Sequence, residues 1–145
     1  MRGISVDARY VLGFATLVAV VATVGSLYLS LGLSLIPCTL CWYQRILMYP
    51  LVVIMGTALY ERRSEVYRTV MPLSLLGGFI AAYHSYLQVN PPETSTCTIV
   101  SDIGCAAVQY RVLGLTIPNL SLIAFVLISL SMVVLVYSER LKEVD

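Results

Sequence analysis

Pro37-Cys38-Thr39-Leu40-Cys41-Trp42-Tyr43-Gln44-Arg45 sets two thiols, separated by two residues, between apolar runs, with a cation one turn further on. A CxxC pair serves as a redox disulfide, as half of a zinc site, or as an incidental spacing, and its backbone setting decides which. From Tyr43 to Tyr60 the chain is strongly apolar with one early charge, which predicts a helix beginning at or near the motif. Pro37 suits a place just before that start, where a missing N–H costs nothing. A helix N-terminus favours negative charge, and so favours the thiolate over the thiol at Cys38 or Cys41. Arg45, four residues beyond Cys41, shares its helical face and adds a fixed positive charge. The stretch therefore predicts a reactive, partly ionised dithiol.

The surrounding chain is too apolar for a soluble domain of its size: 145 residues, 59% hydrophobic and only 12% charged, with a mean hydropathy of +0.87. A net charge of +1 with no basic cluster gives no sign of nucleic-acid binding. Uncharged or nearly uncharged runs predict four spans, at about 10–33, 42–60, 69–89 and 117–137. The first would extend about 36 Å as a helix at roughly 1.5 Å per residue, enough to cross a bilayer with some tilt. Its basic start also suits a cleavable signal peptide, but the run exceeds a typical signal core and three more spans follow. Arg45 falls near the start of the second span, where its head can reach the interface, and Trp42 and Tyr43 suit the same depth. Asn90-Pro91-Pro92 ends the third, since neither proline can donate to a continuing ladder. The expected fold is an all-α integral membrane protein, a four-helix transmembrane bundle forming a single domain over residues 1–145.

Charge orients the spans. Arg2, Arg9, Arg62, Arg63, Arg68, Arg140 and Lys142 fall on one side, against only Arg45 and Arg111 on the other. Both termini are therefore expected in the cytoplasm, with outer loops at about 34–41 and 90–116. All four cysteines, Cys38, Cys41, Cys97 and Cys105, then lie on the outer face, where disulfides persist. Cys97 and Cys105 enclose a small loop whose closure would remove roughly 2.5 kcal/mol of unfolded-chain entropy, so a structural staple is one reading. With a reactive CxxC beneath the same loop, thiol–disulfide exchange between the pairs is the better one. His84, the only histidine, stands towards the outer end of the third span at about the depth of Arg45. An ionisable group inside a span is a functional candidate, although a histidine satisfied by a neighbouring helix is common.

A dithiol can only pass two electrons along, so net oxidation needs a terminal acceptor, and neither a haem CxxCH nor an iron–sulfur pattern is present. A membrane quinone beside Cys41, its carbonyls held by Arg45 and His84, is the economical candidate. A non-catalytic membrane protein with a four-cysteine zinc staple would use the same residues, but the second pair lacks tight ligand spacing and the compartment favours oxidation. No resident metal is expected. A transporter is disfavoured because the spans hold no acidic residue.

Ile36 to Arg45, followed by Ile46-Leu47-Met48-Tyr49-Pro50, resembles the signature of the disulfide bond formation protein B (DsbB) family, particularly its short BdbC-type members. The resemblance covers nearly the whole chain, including His84, the loop cysteines and Gly114-Leu115-Thr116-Ile117-Pro118 ahead of the fourth span. It implies a membrane thiol–disulfide oxidoreductase that reoxidises an extracytoplasmic thioredoxin-fold (DsbA-like) thiol oxidase and passes the electrons to ubiquinone or menaquinone. On that pattern the partner's thiolate attacks Cys97, Cys105 exchanges with Cys38, and Cys41 faces the quinone with Arg45 beside it. The Cys97–Cys105 spacing is shorter than in the longer members. A vitamin K epoxide reductase-like enzyme is the nearest alternative, but its loop cysteines precede the CxxC.

Overall fold

The computed structural model describes residues 6–34, 37–63, 65–90, 111–112 and 114–144. Within them α1 spans Val6–Leu31, α2 Thr39–Glu61, α3 Tyr67–Val89 and α4 Ile117–Val144; β1 (Arg111–Val112) and β2 (Leu115–Thr116) stand directly before α4. The principal packing pairs are α1 with α2, α2 with α3, α3 with α4 and α4 with α1, which closes a ring.

Each helix end has a local cause. Asp7 lies in the first turn of α1, where its charge meets the unsatisfied N–H groups. Beyond Leu31 the amides of Gly32 and Leu33 return to the Tyr28 carbonyl at 2.7 and 3.3 Å, and Ser34 takes φ 53° as the chain turns away. Arg62 closes α2 in a left-handed conformation, and both its amide and that of Arg63 bond the Ala58 carbonyl. α4 runs on to Val144, seven residues past the expected end of the fourth span, because Glu139, Arg140, Leu141, Lys142 and Glu143 are good helix formers with no breaker among them. The stretch directly before α4 is likewise more ordered than a plain loop. Arg111 pairs with Thr116 and Val112 with Leu115 in an antiparallel hairpin whose turn needs Gly114 at φ 84°.

Three of these helices are long and apolar enough to cross a membrane: Asp7–Leu31, Tyr67–Val89 and Ile117–Leu141, with mean hydropathies of 2.0, 1.2 and 2.6. α2 matches them in length but opens with Trp42, Tyr43, Gln44 and Arg45, which dilute its apolar character. The faces are sorted as lipid demands. Large apolar side chains such as Phe14, Val21, Phe79 and Val133 point outward, while the inner stripe of α1 is Ala8, Leu12, Ala15 and Ala19. Lipid tails are as apolar as the core, so association relies on close packing and interhelical hydrogen bonds. Both occur between α3 and α4: Ser129 donates to Ser74 Oγ at 3.0 Å, and the Phe125 ring packs closely against Gly77. The chain is thus an all-α bundle of a multi-pass membrane protein.

Gly77 is required by that contact. A Cβ there would meet the Phe125 ring at 2.2 Å. Gly77→Ala should destabilise the protein by about 1–3 kcal/mol through overpacking, and Phe125→Leu in the same chain should recover part of the loss. Thermal unfolding in detergent checks this; an unchanged Gly77→Ala transition would contradict the packing.

Candidate active site

The inner stripes of α2 and α3 bring the site together. Along α2 the buried positions are Gln44, Met48, Leu51, Met55 and Ala58, and along α3 they are Val70, Ser74, Gly77, Ala81 and His84. Both follow helical periodicity, and each ends, at the CxxC end of the bundle, on a polar residue facing the other. Gln44 and His84 are only 5% and 2% exposed. Their side chains meet, Gln44 Nε2 standing 3.1 Å from His84 Nδ1. Ser121, from the second turn of α4, donates to Gln44 Oε1 at 2.6 Å, and its Oγ also lies 3.0 Å from the Pro118 carbonyl. Three helices are joined by this chain of polar groups, which satisfies hydrogen-bonding capacity that would be costly to leave unmet in an apolar bundle.

Cys38 is the N-cap of α2, with extended backbone (φ −71°, ψ 169°), and its carbonyl accepts the Trp42 amide at 3.1 Å. Cys41 therefore sits in the first turn, where the unpaired helix amides favour negative charge. The two sulfurs are 3.0 Å apart. The other nitrogen of His84, Nε2, stands 3.7 Å from Cys38 Sγ. When Gln44 donates to Nδ1, Nε2 is the ring nitrogen that carries a proton towards that sulfur.

Arg45 turns the opposite way, towards α1. Its Nε donates to Ser26 Oγ at 2.8 Å, and its Nη2 donates to the Ser26 carbonyl at 2.9 Å and to Ser30 Oγ. The guanidinium also stands 5.8 Å from the centre of the Trp42 ring. These hydrogen-bond partners are all neutral, so the contacts fix its position without cancelling its charge. Beside it opens a cavity of roughly 690 Å³ between α1, α2 and α4. Its walls are mostly apolar, with Cys41, Gln44, Arg45, Thr23, Ser26, Ser30 and Ser121 and the hydroxyl-bearing Tyr28 and Tyr49 as exceptions.

Of the expected site residues, Cys38, Cys41, Arg45 and His84 converge on one end of the bundle, while Cys97 and Cys105 lie outside the described residues. Cys41 and Arg45 line the cavity; Cys38 and His84 do not, and instead stand together behind it. Gln44, Ser26, Ser30 and Ser121 are additions. Gln44 is detectable in the sequence as the first member of the 44-48-51-55-58 stripe, and Ser26 and Ser30 as a pair one turn apart on α1.

A dithiol at a helix start in a membrane bundle, with a cation held beside an apolar cavity, defines a membrane-embedded thiol–disulfide oxidoreductase. Comparison with known proteins bears this out: the family model for disulfide bond formation protein DsbB matches residues 8–135, and the chain belongs to that family. It is 44% identical over 119 residues to disulfide bond formation protein C of Bacillus subtilis, covering 81% of this chain and 86% of that one. It is 36% identical over 133 residues to a probable disulfide formation protein of Coxiella burnetii, covering 90% of each. A probable disulfide formation protein C 2 of Bacillus cereus is 33% identical over 137 residues, 93% of this chain and 94% of the relative. No solved structure matches the chain significantly. Membership in the DsbB family sets aside the vitamin K epoxide reductase-like reading.

The polar chain predicts a measurable coupling. Gln44→Leu strands a buried imidazole nitrogen and should cost about 1–3 kcal/mol. In a double-mutant cycle with Ser121→Ala the two losses should fall short of additivity. Full additivity in thermal unfolding would contradict the shared network.

Proposed function

We propose that this disulfide oxidoreductase reoxidises an extracytoplasmic thioredoxin-fold, DsbA-like thiol oxidase and passes the electrons to a membrane quinone, ubiquinone or menaquinone. The observation that carries the reading is that Cys41 and Arg45 open onto one apolar-walled cavity, whose size and lining fit a flat apolar ring with polar oxygens. Arg45 would hold such a ring by a carbonyl oxygen, and a quinone there would accept the two electrons and two protons that a dithiol releases on closing to a disulfide.

The chain's own residues supply the rest. The partner's thiolate attacks Cys97 of a Cys97–Cys105 disulfide, and the partner's second thiolate then displaces Cys97, which leaves the partner oxidised and the loop pair reduced. Cys105 attacks Cys38 of the Cys38–Cys41 disulfide and releases Cys41 as a thiolate. Cys97 next displaces Cys38, so the loop disulfide is restored and the CxxC holds both electrons. His84 faces Cys38, the sulfur that leaves in that last exchange, and its Nε2–H stabilises the departing thiolate. Arg45 and the start of α2 favour the thiolate of Cys41 at the cavity. The role of His84 is thereby moved from the quinone to the sulfur exchange.

The orientation follows from the basic residues. Arg62 and Arg63 flank the end of α2 opposite to its CxxC start, Arg68 begins α3 at the same end, and Arg140 lies late in α4. By the positive-inside tendency this end faces the cytoplasm, together with both termini. The site then faces the exterior of the cell membrane.

Cys97→Ser should abolish oxidation of the reduced partner yet leave quinone reduction driven by a small dithiol that reaches the CxxC directly. Arg45→Met should raise the KM for quinone about 10–100-fold, the loss of about 1.5–3 kcal/mol expected for a hydrogen bond to a charged group. Steady-state kinetics of the purified variants tests both. An unchanged KM would remove Arg45 from the quinone site, and unimpaired partner oxidation by Cys97→Ser would overturn the two-pair route.

A further inference from the structure

We propose that, in its reduced form, the site binds a single thiophilic divalent cation of the zinc class through Cys38, Cys41 and His84. The ligand atoms of the three residues all lie within 4.8 Å of one another. The two sulfurs are 3.0 Å apart and Cys38 Sγ is 3.7 Å from His84 Nε2. Tetrahedral zinc with ordinary bond lengths asks for about 3.8 Å between sulfurs and about 3.5 Å from sulfur to nitrogen. A rotation of one thiol supplies the difference. Two ligands come from the start of α2 and the third from the inner stripe of α3, so the helix packing that builds the bundle also assembles the set.

The groups behind His84 suit a ligand as well. An imidazole bound to a metal through Nε2 carries its proton on Nδ1 and needs an acceptor there. Gln44 provides one by turning its amide over, which brings Oε1 to Nδ1 and Nε2 to Ser121 Oγ. Ser121 then donates to the Pro118 carbonyl, already 3.0 Å away. The network is satisfied in both orientations, which is the behaviour a histidine alternating between sulfur and metal requires.

Binding displaces one proton from each thiol to the medium, and no electron moves. Two thiolates offset the 2+ charge, so the loaded site is close to neutral at the edge of an apolar bundle. A Cys38–Cys41 disulfide offers no thiolate, so only the reduced site captures the cation. While it is held, neither sulfur can re-form the disulfide. The inhibition this implies rests on the function proposed above, whereas the binding does not.

The test is titration of Zn²⁺ into the reduced, full-length protein in detergent, in competition with a chromophoric chelator, combined with X-ray absorption at the zinc edge. One zinc per chain is expected, with two sulfur neighbours and one imidazole, and none bound after oxidation. Gln44→Leu should weaken binding about 10–100-fold, His84→Ala should weaken it further, and the Cys97→Ser/Cys105→Ser double variant should bind as the wild type does. A shell of sulfur without imidazole, or loss of binding in the double variant, would overturn the proposal. The X-ray measurement on the wild type decides this even if His84→Ala does not fold. An imidazole-containing shell combined with undiminished dithiol-to-quinone turnover would support the site and instead refute the CxxC as the route of electrons.

Discussion

The hydrogen bond between Gln44 and His84 is the contact on which the rest of the site depends. It joins the first inward position of α2 to the last of α3, and Ser121 extends it to α4. In an apolar bundle such groups have few other partners, so each helix rotation that satisfies them is strongly preferred. That rotation settles the rest: with Gln44 inward, Cys41 and Arg45, three residues before and one after, open onto the cavity beside α1, and Cys38 is left against His84.

The consequence is that two chemically identical sulfurs occupy different surroundings. Cys38, at the cap, looks towards a buried imidazole, while Cys41, in the first turn, looks into an apolar cavity with a positioned cation. A relay needs this asymmetry, because one sulfur must exchange with another cysteine while the other serves the acceptor. Ser26 and Ser30 contribute by holding the guanidinium through neutral acceptors, so its charge is aimed rather than consumed.

Much of this is legible in the sequence. Hydropathy marks α1, α3 and α4 as membrane-crossing helices, and Pro37 with the following CxxC marks the start of α2, because those signals are local. Helix ends are less so: α4 continues through Ser138–Val144, since a polar helix leaves the membrane without breaking. The site is half legible. Cys38, Cys41, Arg45 and His84 stand out by residue type, but which sulfur His84 meets depends on how α3 is turned against α2, and no spacing within one segment encodes that. Gln44, Ser26, Ser30 and Ser121 are ordinary polar residues in the chain and acquire a role only through contacts between helices.

The most direct measurement is quinone reduction by the purified protein with a reduced thioredoxin-fold partner as electron donor, comparing wild type with Cys41→Ser and Cys105→Ser. A two-pair relay predicts turnover in the wild type and none in either variant. Turnover that survives Cys105→Ser would mean that the partner reaches the CxxC directly and would contradict the relay. A wild type without turnover would contradict electron transfer to quinone altogether.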